Sequence, residues 1–354
     1  MTSAIKRISE LGEIRLLSEV VLQHVMAPLT EIGDDCVHLD AGDGALLWSI
    51  DPCPTPVAQW LNISSPEVLG WYTAAINLSD IAACGGTPIG MLVSIEMPSD
   101  TEVDFVRRYY DGLSRALSKY RTHLLGGNLK AAHRFAATGS ILGREGSRRI
   151  TRRIAADDCD VFLLGQSGLF WTGFAAHFFG RISGLQQSEF EELNRALLYP
   201  EPQMASGCKI SEMPFEVACM DCSDGPANAL FQLAVQNKLD LIIPDQPEWA
   251  IPDYAKALLA SLDVPVENAC LNFGDWQLAC VVAHDIADHF ANALEQSVPL
   301  TWVGRARRGA GSVMTSRGKQ FSTQSVNENF RAGYNSVMSS VELVERYLRT
   351  PVFV

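Results

Sequence analysis

From Trp71 to Ile95 the chain carries a single charged residue, Asp80. A run that apolar must leave water, so it either crosses a bilayer or fills a core. Asn77, Ser79, the Gly85–Gly86 pair and Pro88 interrupt it, which favours the core. Ser65 is placed to cap a helix, Pro66 to take its first position and Glu67 to complement its dipole, while Gly85 and Gly86 end it. Apolar residues fall on nearly every side of that helix, which predicts burial all round. Asn77 and Asp80, three apart, share one face and need partners inside the protein. "GMLVSIEMP" then reads as a strand.

With 354 residues there is room for two domains. The formal net charge of -13 argues against nucleic acid or an anionic membrane as partner. A polyanionic substrate would need a metal ion or a cluster of N–H groups. "MTSAIKRISELGEIRLLSEV" reads as an amphipathic helix without the apolar centre of a signal peptide. Nine cysteines, an odd number scattered without a framework, suit reduced thiols in the cytoplasm. Cys219-x-x-Cys222 has no second such pair and no nearby histidine, so it reads as two small residues on a strand.

"DDCVHLDAGDGALLWSID" reads as a hairpin, strands 36–40 and 45–50 around Gly-Asp-Gly, with Asp35 opposite Asp51 or Ile50 at the open end. "SDTEVDFVRRYYDGLSRALSKY" predicts an amphipathic helix. "THLLGGNLKAAHRFAATGSILGR" predicts two strands around a polar turn. The abrupt charge change in "REGSRRITRRIAADD" places a domain boundary near residue 150. The second half opens with the strand "CDVFLLG", then "GQSGLFWTGFAAHFF". That turn either offers backbone N–H groups to an anion or packs tightly through small residues. "LYPEPQM" connects to a short helix, and a last amphipathic helix is expected near Ser336–Leu348. The expected organisation is 1–150, 151–310 and a tail, 311–354.

"VACMDCSDGPANALFQLA" starts as a buried strand and ends as a helix, with Asp221, Ser223, Asp224 and Gly225 at the junction. Acids thus adjoin apolar elements at four places: Asp34/Asp35, Asp51, Asp80 and Asp221/Asp224. Backbone N–H groups satisfy many such acids, and Asp34 and Asp43 fit that description best. The economical use of the remainder is a divalent metal, since Mg²⁺ takes carboxylate oxygens and shares them with phosphates. No G-x-x-x-x-G-K-[ST] is present, which excludes a P-loop enzyme.

"EIGDDCVHL", "SID", "AINLSDIAACGGTP", "LLGGN", "LYPEPQ", "MDCSDG" and "FGDWQL" occur in the order and rough spacing of thiamine-monophosphate kinases, and "FRAGYNSV" resembles their C-terminal segment. The chain resembles that family over about residues 10–335. The resemblance implies the two-domain α+β fold of the aminoimidazole ribonucleotide synthetase superfamily. Its N-terminal α+β domain binds ATP and Mg²⁺ and forms a homodimer through its sheet; its C-terminal domain is α/β. By position, Asp35, Asp51, Asp80, Asp221 and Asp224 look like metal ligands, with Asp51, Asp221 and Asp224 also nearest the chemistry. Ser49, Ser223, Gly126, Gly127 and Asn128 look like nucleotide neighbours, as does Arg152 or Arg153. Ala58, Asp275, Trp276 and Tyr334 match acceptor-side positions.

Several positions depart from the family pattern. Asn128 replaces an aspartate, Ala58 a histidine, Gly274 a glutamate and Trp276 a tyrosine. Nucleotide-side positions are mostly kept and acceptor-side ones mostly changed. The expected activity is therefore ATP- and Mg²⁺-dependent phosphoryl transfer to a small molecule other than thiamine monophosphate. The alternatives are a ligase, cyclase or dehydratase with a phosphorylated intermediate, and a non-catalytic nucleotide-binding homologue.

Overall fold

The computed structural model describes residues 13–21, 34–42, 44–322, 337 and 339–354. The first sheet has strands β1 (Val37–Asp40), β2 (Ala45–Pro52), β3 (Thr87–Met97), β4 (Leu124–Ala131) and β5 (Ala136–Arg144) in the order β1-β2-β5-β3-β4. β1 and β2 form the expected hairpin, with Val37 opposite Trp48. β4 and β5 are both strands, as expected, but do not pair with each other. β5 lies antiparallel between β2 and β3, while β4 runs parallel to β3 at the far edge.

The second sheet contains β6 (Asp158–Leu164), β7 (Val217–Asp221), β8 (Leu239–Ile243), β9 (Leu278–Ala283), β10 (Leu300–Arg308) and β11 (Val313–Thr315), ordered β11-β8-β10-β6-β9-β7. β9 and the Val161–Leu164 end of β6 read as unbroken apolar runs because both faces are covered, whereas β8 and β10 carry exposed and polar positions. Along β7, Val217 and Cys219 enter the core shared with the first sheet, while Ala218 and Met220 enter the core on the opposite face. Cys219 faces Cys280 across the strand pair, Sγ to Sγ 3.7 Å, whereas Cys222 enters the opposite core. The C-x-x-C is thus divided between two cores, as two small packing residues would be.

Helix α1 (Pro66–Ala83) is the apolar run anticipated above, buried on all sides. It packs on β2 and β5 of the first sheet, on β7 of the second, and on α2 (Val103–Lys119). Gly85 N–H donates to Ala82 O and Gly86 N–H to Ile81 O, which closes its C-terminus. Trp71 Nε1 donates to Pro200 O at 2.7 Å and Tyr72 Oη to Leu197 O at 2.7 Å, tying α1 to the segment carrying "LYPEPQ". The second core is completed by α3 (Leu169–Phe178), α4 (Gln187–Leu198), α6 (Pro226–Asn237), α7 (Asp253–Ser261), α8 (Val266–Leu271) and α10 (Ser340–Leu343). Helices α5 (Met204–Ser211) and α9 (Ala287–Leu294) supply the shared core. Among the described residues no helix is long and apolar enough to cross a membrane.

Candidate metal centre

Three carboxylates meet where the two sheets approach. Asp35 precedes β1, Asp80 sits in the last turn of α1, and Asp221 ends β7. One oxygen from each lies within 4.8 Å of the others. Asp80 is 6% exposed and Asp221 4%. Each carboxylate is oriented by a neighbour. Arg152 grips Asp35 with two bonds, Nη2 to Oδ1 at 2.8 Å and Nε to Oδ2 at 3.1 Å. The hydroxyl of Ser49 donates to Asp80 Oδ2. Ser223 Oγ donates to Asp221 Oδ1 at 3.2 Å, while among the described residues Asp221 Oδ2 has no hydrogen bond of good geometry, though the nearby Ser79 hydroxyl favours its charged form. Asn77 accepts from Asp51 N–H at 3.2 Å and donates to Asp51 O at 3.3 Å, so α1 clamps the end of β2 beside Asp80.

The electrostatics of this arrangement call for a cation. Burial raises the Asp80 carboxyl well above its ordinary value, and Asp51, Asp221 and Asp35 push it further the same way. Burial followed by the charge of Asp35 does the same to Asp221. Arg152 offsets only part of this charge. A hard divalent ion fits the set: all donors are carboxylate oxygens, one of them buried without a hydrogen bond of good geometry, and repulsion among them falls when it binds.

The remaining candidates fall into several places. Asp51 raises both Asp80 and Asp221 electrostatically but lies outside the three converging carboxylates. Asp224 lines a small cavity with Ser223, Tyr72, Phe170 and Trp276. Gly126, Gly127 and Asn128 lie on the exposed edge strand β4, three strands from β2, about 14 Å across the sheet. A Cβ on Gly127 would stand 2.0 Å from Val93 O, so strand packing alone demands a glycine there. Asp34 accepts Arg152 N–H at 2.7 Å, the backbone role anticipated for it.

Two of the acceptor-side candidates also have structural surroundings of their own. Ala58 is fully buried against the second core and presents nothing to a ligand. Asp275 accepts the N–H groups of Gly168 at 2.6 Å and Phe170 at 2.8 Å, capping α3, and burial pushes its carboxyl up to about 7. The "GQSG" turn therefore does gather N–H groups around an anion, but the anion is Asp275. Gly274 has φ +127°, and a Cβ there would stand 2.3 Å from the Phe170 ring, so no other side chain fits. Trp276 is buried at 4% exposure with φ +45°. Tyr334 lies outside the described residues.

The positioning groups were harder to find from sequence. Asn77 was visible as a buried polar residue needing partners, but not as the clamp on Asp51. Tyr72 and Ile76 line the Asp224 cavity and Asp80 joins the carboxylates. The three are spaced by four on α1, a periodicity that could have linked the cavity to the acids.

Residues 33–144 match the family described as "AIR synthase related protein, N-terminal domain". The chain is similar to a thiamine-monophosphate kinase of Synechococcus elongatus, 30% identical over 80% of this chain and 85% of that protein. It is also similar to that of Aquifex aeolicus, 26% identical over 86% and 94%. Among solved structures, "AaThiL complexed with AMPPCP and TMP" superposes with a TM-score of 0.75 at 25% identity, covering 90% of this chain and 97% of that one.

Proposed function

Because the chain belongs to the thiamine-monophosphate kinase family, we propose that it transfers the γ-phosphoryl group of ATP, with magnesium, to a small-molecule acceptor other than thiamine monophosphate. The observation that carries the reading is the convergence of Asp35, Asp80 and Asp221, which suits Mg²⁺ and the phosphates it brings. Asp51 and Asp224 are proposed to add to this set once phosphates are present. A bound metal would neutralise charge developing on the transferred phosphoryl oxygens. The chain's own part is positioning. Arg152 fixes both oxygens of Asp35, Ser49 and Ser223 each hold one oxygen of Asp80 and Asp221, and Asn77 fixes β2. Held this way, the carboxylates need little rearrangement when the nucleotide arrives.

The choice of a different acceptor rests on the changed positions. Gly274 has no side chain and no room for one, and Ala58 is packed in the core. Two charge-assisted contacts of about 1.5–3 kcal/mol each are thereby missing from where those kinases have them. Assembly is proposed as a homodimer through the outer face of the first sheet, where Trp48 is 51% exposed, Ile50 67% and Leu92 50%. Nine free thiols suit the reducing cytoplasm.

The test incubates the purified protein with Mg²⁺, ATP and micromolar thiamine monophosphate, and measures ATP binding by calorimetry in parallel. Tight Mg²⁺-dependent ATP binding with little thiamine diphosphate is expected. Robust thiamine diphosphate formation would overturn the choice of acceptor. Absence of ATP binding would overturn the kinase.

A further inference from the structure

A larger cavity lies along the same end of the second sheet as Asp221, but well away from the carboxylates. Leu300, at the start of β10, lines it and stands three strands from Asp221 in register, about 14 Å across the sheet. Residues 244–250, which follow β8 one strand further out, form one wall. Pro351, Val352 and Phe353 form another, and they lie past residue 335, outside the resemblance to the kinases. The volume is about 970 Å³, at the upper end for a ligand site. Pro244, Pro247, Pro265 and Pro351 restrict the backbone around it, so little ordering is left for a ligand to impose.

Half of the charge on the lining is left over by the protein. Of its three carboxylates, Asp245 is held by Arg317 Nε at 2.7 Å. Of its three cations, Lys256 reaches Asp253, outside the cavity, at 3.3 Å. Glu248, Glu267 and Lys319 enter no ion pair among the described residues. These three stand on separate elements: the loop after β8, α8 and the turn after β11. Asn268 lines the cavity too and is fully buried. Its amide nitrogen donates to Leu348 O and Thr350 O, both at 2.9 Å, which uses both hydrogens. Its oxygen accepts from none of the described residues, and a buried acceptor left this way costs stability.

This lining selects against a ligand of a single charge. An anion would gain Lys319 and meet Glu248 and Glu267. A cation would gain the two carboxylates and meet Lys319 and Arg317. A molecule with an ammonium at one end and a carboxylate at the other satisfies both, and an N–H between them suits the Asn268 oxygen. The uncharged lining, Trp249, Val352 and Phe353, suits apolar side chains. A compact cavity of this volume is roughly 10 Å across, about the span of three extended residues.

We propose that this cavity binds a short peptide of apolar residues by its free termini, the ammonium at Glu248 and Glu267 and the carboxylate at Lys319. The site is separate from the metal centre, and the proposal holds whichever acceptor the kinase uses.

The experiment titrates the full chain, its seven tryptophan indoles labelled with ¹⁵N, with trialanine at millimolar concentration. The Trp249 peak, identified by its loss in Trp249→Phe, is expected to move. If that variant does not fold, calorimetry on the unaltered protein reads the same binding. Lys319→Glu and Glu267→Gln should each weaken it about five- to tenfold and leave Mg²⁺-dependent ATP binding unchanged. N-acetyl-trialanine and trialanine amide, each lacking one terminal charge, should lose a similar factor. Alanine, with both charges on one residue, should bind far more weakly than trialanine. Absence of both peak movement and heat with trialanine would overturn the proposal. Capped peptides or alanine binding as tightly as trialanine would overturn recognition by two separated termini. Unchanged affinity in both variants would place the peptide elsewhere and overturn the site.

Discussion

At the scale of single residues, the three carboxylates carry an energetic liability that protonation relieves and that a bound cation would relieve as well. Unfolded, Asp80 and Asp221 lose their protons near pH 4. Folded, burial and mutual repulsion hold those protons to higher pH. Over that interval the native state binds more protons than the unfolded chain, so stability falls as pH rises from about 4 toward neutral. Each pKa unit of elevation is worth about 1.4 kcal/mol. Metal binding needs ionised ligands and displaces those protons, so Mg²⁺ stabilises most at the higher pH. Asp221→Asn should raise the metal-free melting midpoint at pH 7, flatten its pH dependence and abolish most of the Mg²⁺ gain. Melting curves across pH with and without Mg²⁺ measure all three, and coincident curves for variant and parent would refute the metal site. Asp35, Asp80 and Asp221 were legible in sequence because an acid at the end of an apolar element has few ways to be satisfied. The same signal also marks helix caps; Asp275, placed on the acceptor side only by resemblance to the family motif, caps α3 in the fold. Ala58 was likewise placed by resemblance alone, as the position of the family's histidine, and in the fold it is buried in the second core.

At the scale of elements, α1 organises the site and was the most legible part of the fold. Its length, its N-terminal Ser-Pro-Glu, its glycine stop and its all-round apolar surface agree with one another. The sequence pattern did not reveal how closely α1 and α2 cross. A Cβ on Gly70 would stand 2.0 Å from Tyr109 O, and one on Gly112 would stand 2.0 Å from Glu67 O. Backbone meets backbone there, and neither side can give way as a side chain could. Gly70→Ala is therefore expected to lose about 1–3 kcal/mol in urea unfolding, the range for overpacking. ATP affinity should fall with it, because a displaced α1 carries Asp80 away from Asp221. Unchanged stability would show that the helices can separate without cost. Strand pairing was the weakest element-scale reading. Local turn chemistry suggests that β4 and β5 are neighbours, but sheet order depends on contacts far apart in sequence. β5 has one buried face between β2 and β3, while β4 is exposed along almost its whole length.

At the scale of the whole molecule, the division near residue 150 separates the strands into their two sheets, yet the cores are not divided there. Leu47 and Ile141 of the first sheet share a core with Phe162, Leu278 and Cys280 of the second, with α1 between them. Charge and composition mark a linker but say nothing of how the flanking cores merge. Among the described residues the opposite face of the first sheet has no such cover. Ile50, Ser140 and Leu92 lie opposite one another across β2, β5 and β3, forming an outward row with Trp48 nearby. Large apolar side chains gathered on an open sheet face mark an association surface, and an identical face on a second copy can cover them around a two-fold axis. The protein is thus expected at about twice 38.7 kDa in solution. Ile50→Glu combined with Leu92→Glu would place charges in that row, where burial without a partner is costly. Light scattering at micromolar concentration should give a dimer for the parent and a monomer for the double variant. Circular dichroism should be unchanged, because both side chains already face outward. A parent that is monomeric, or a double variant that remains dimeric, would show that this face is not the interface and that the exposed row needs another explanation.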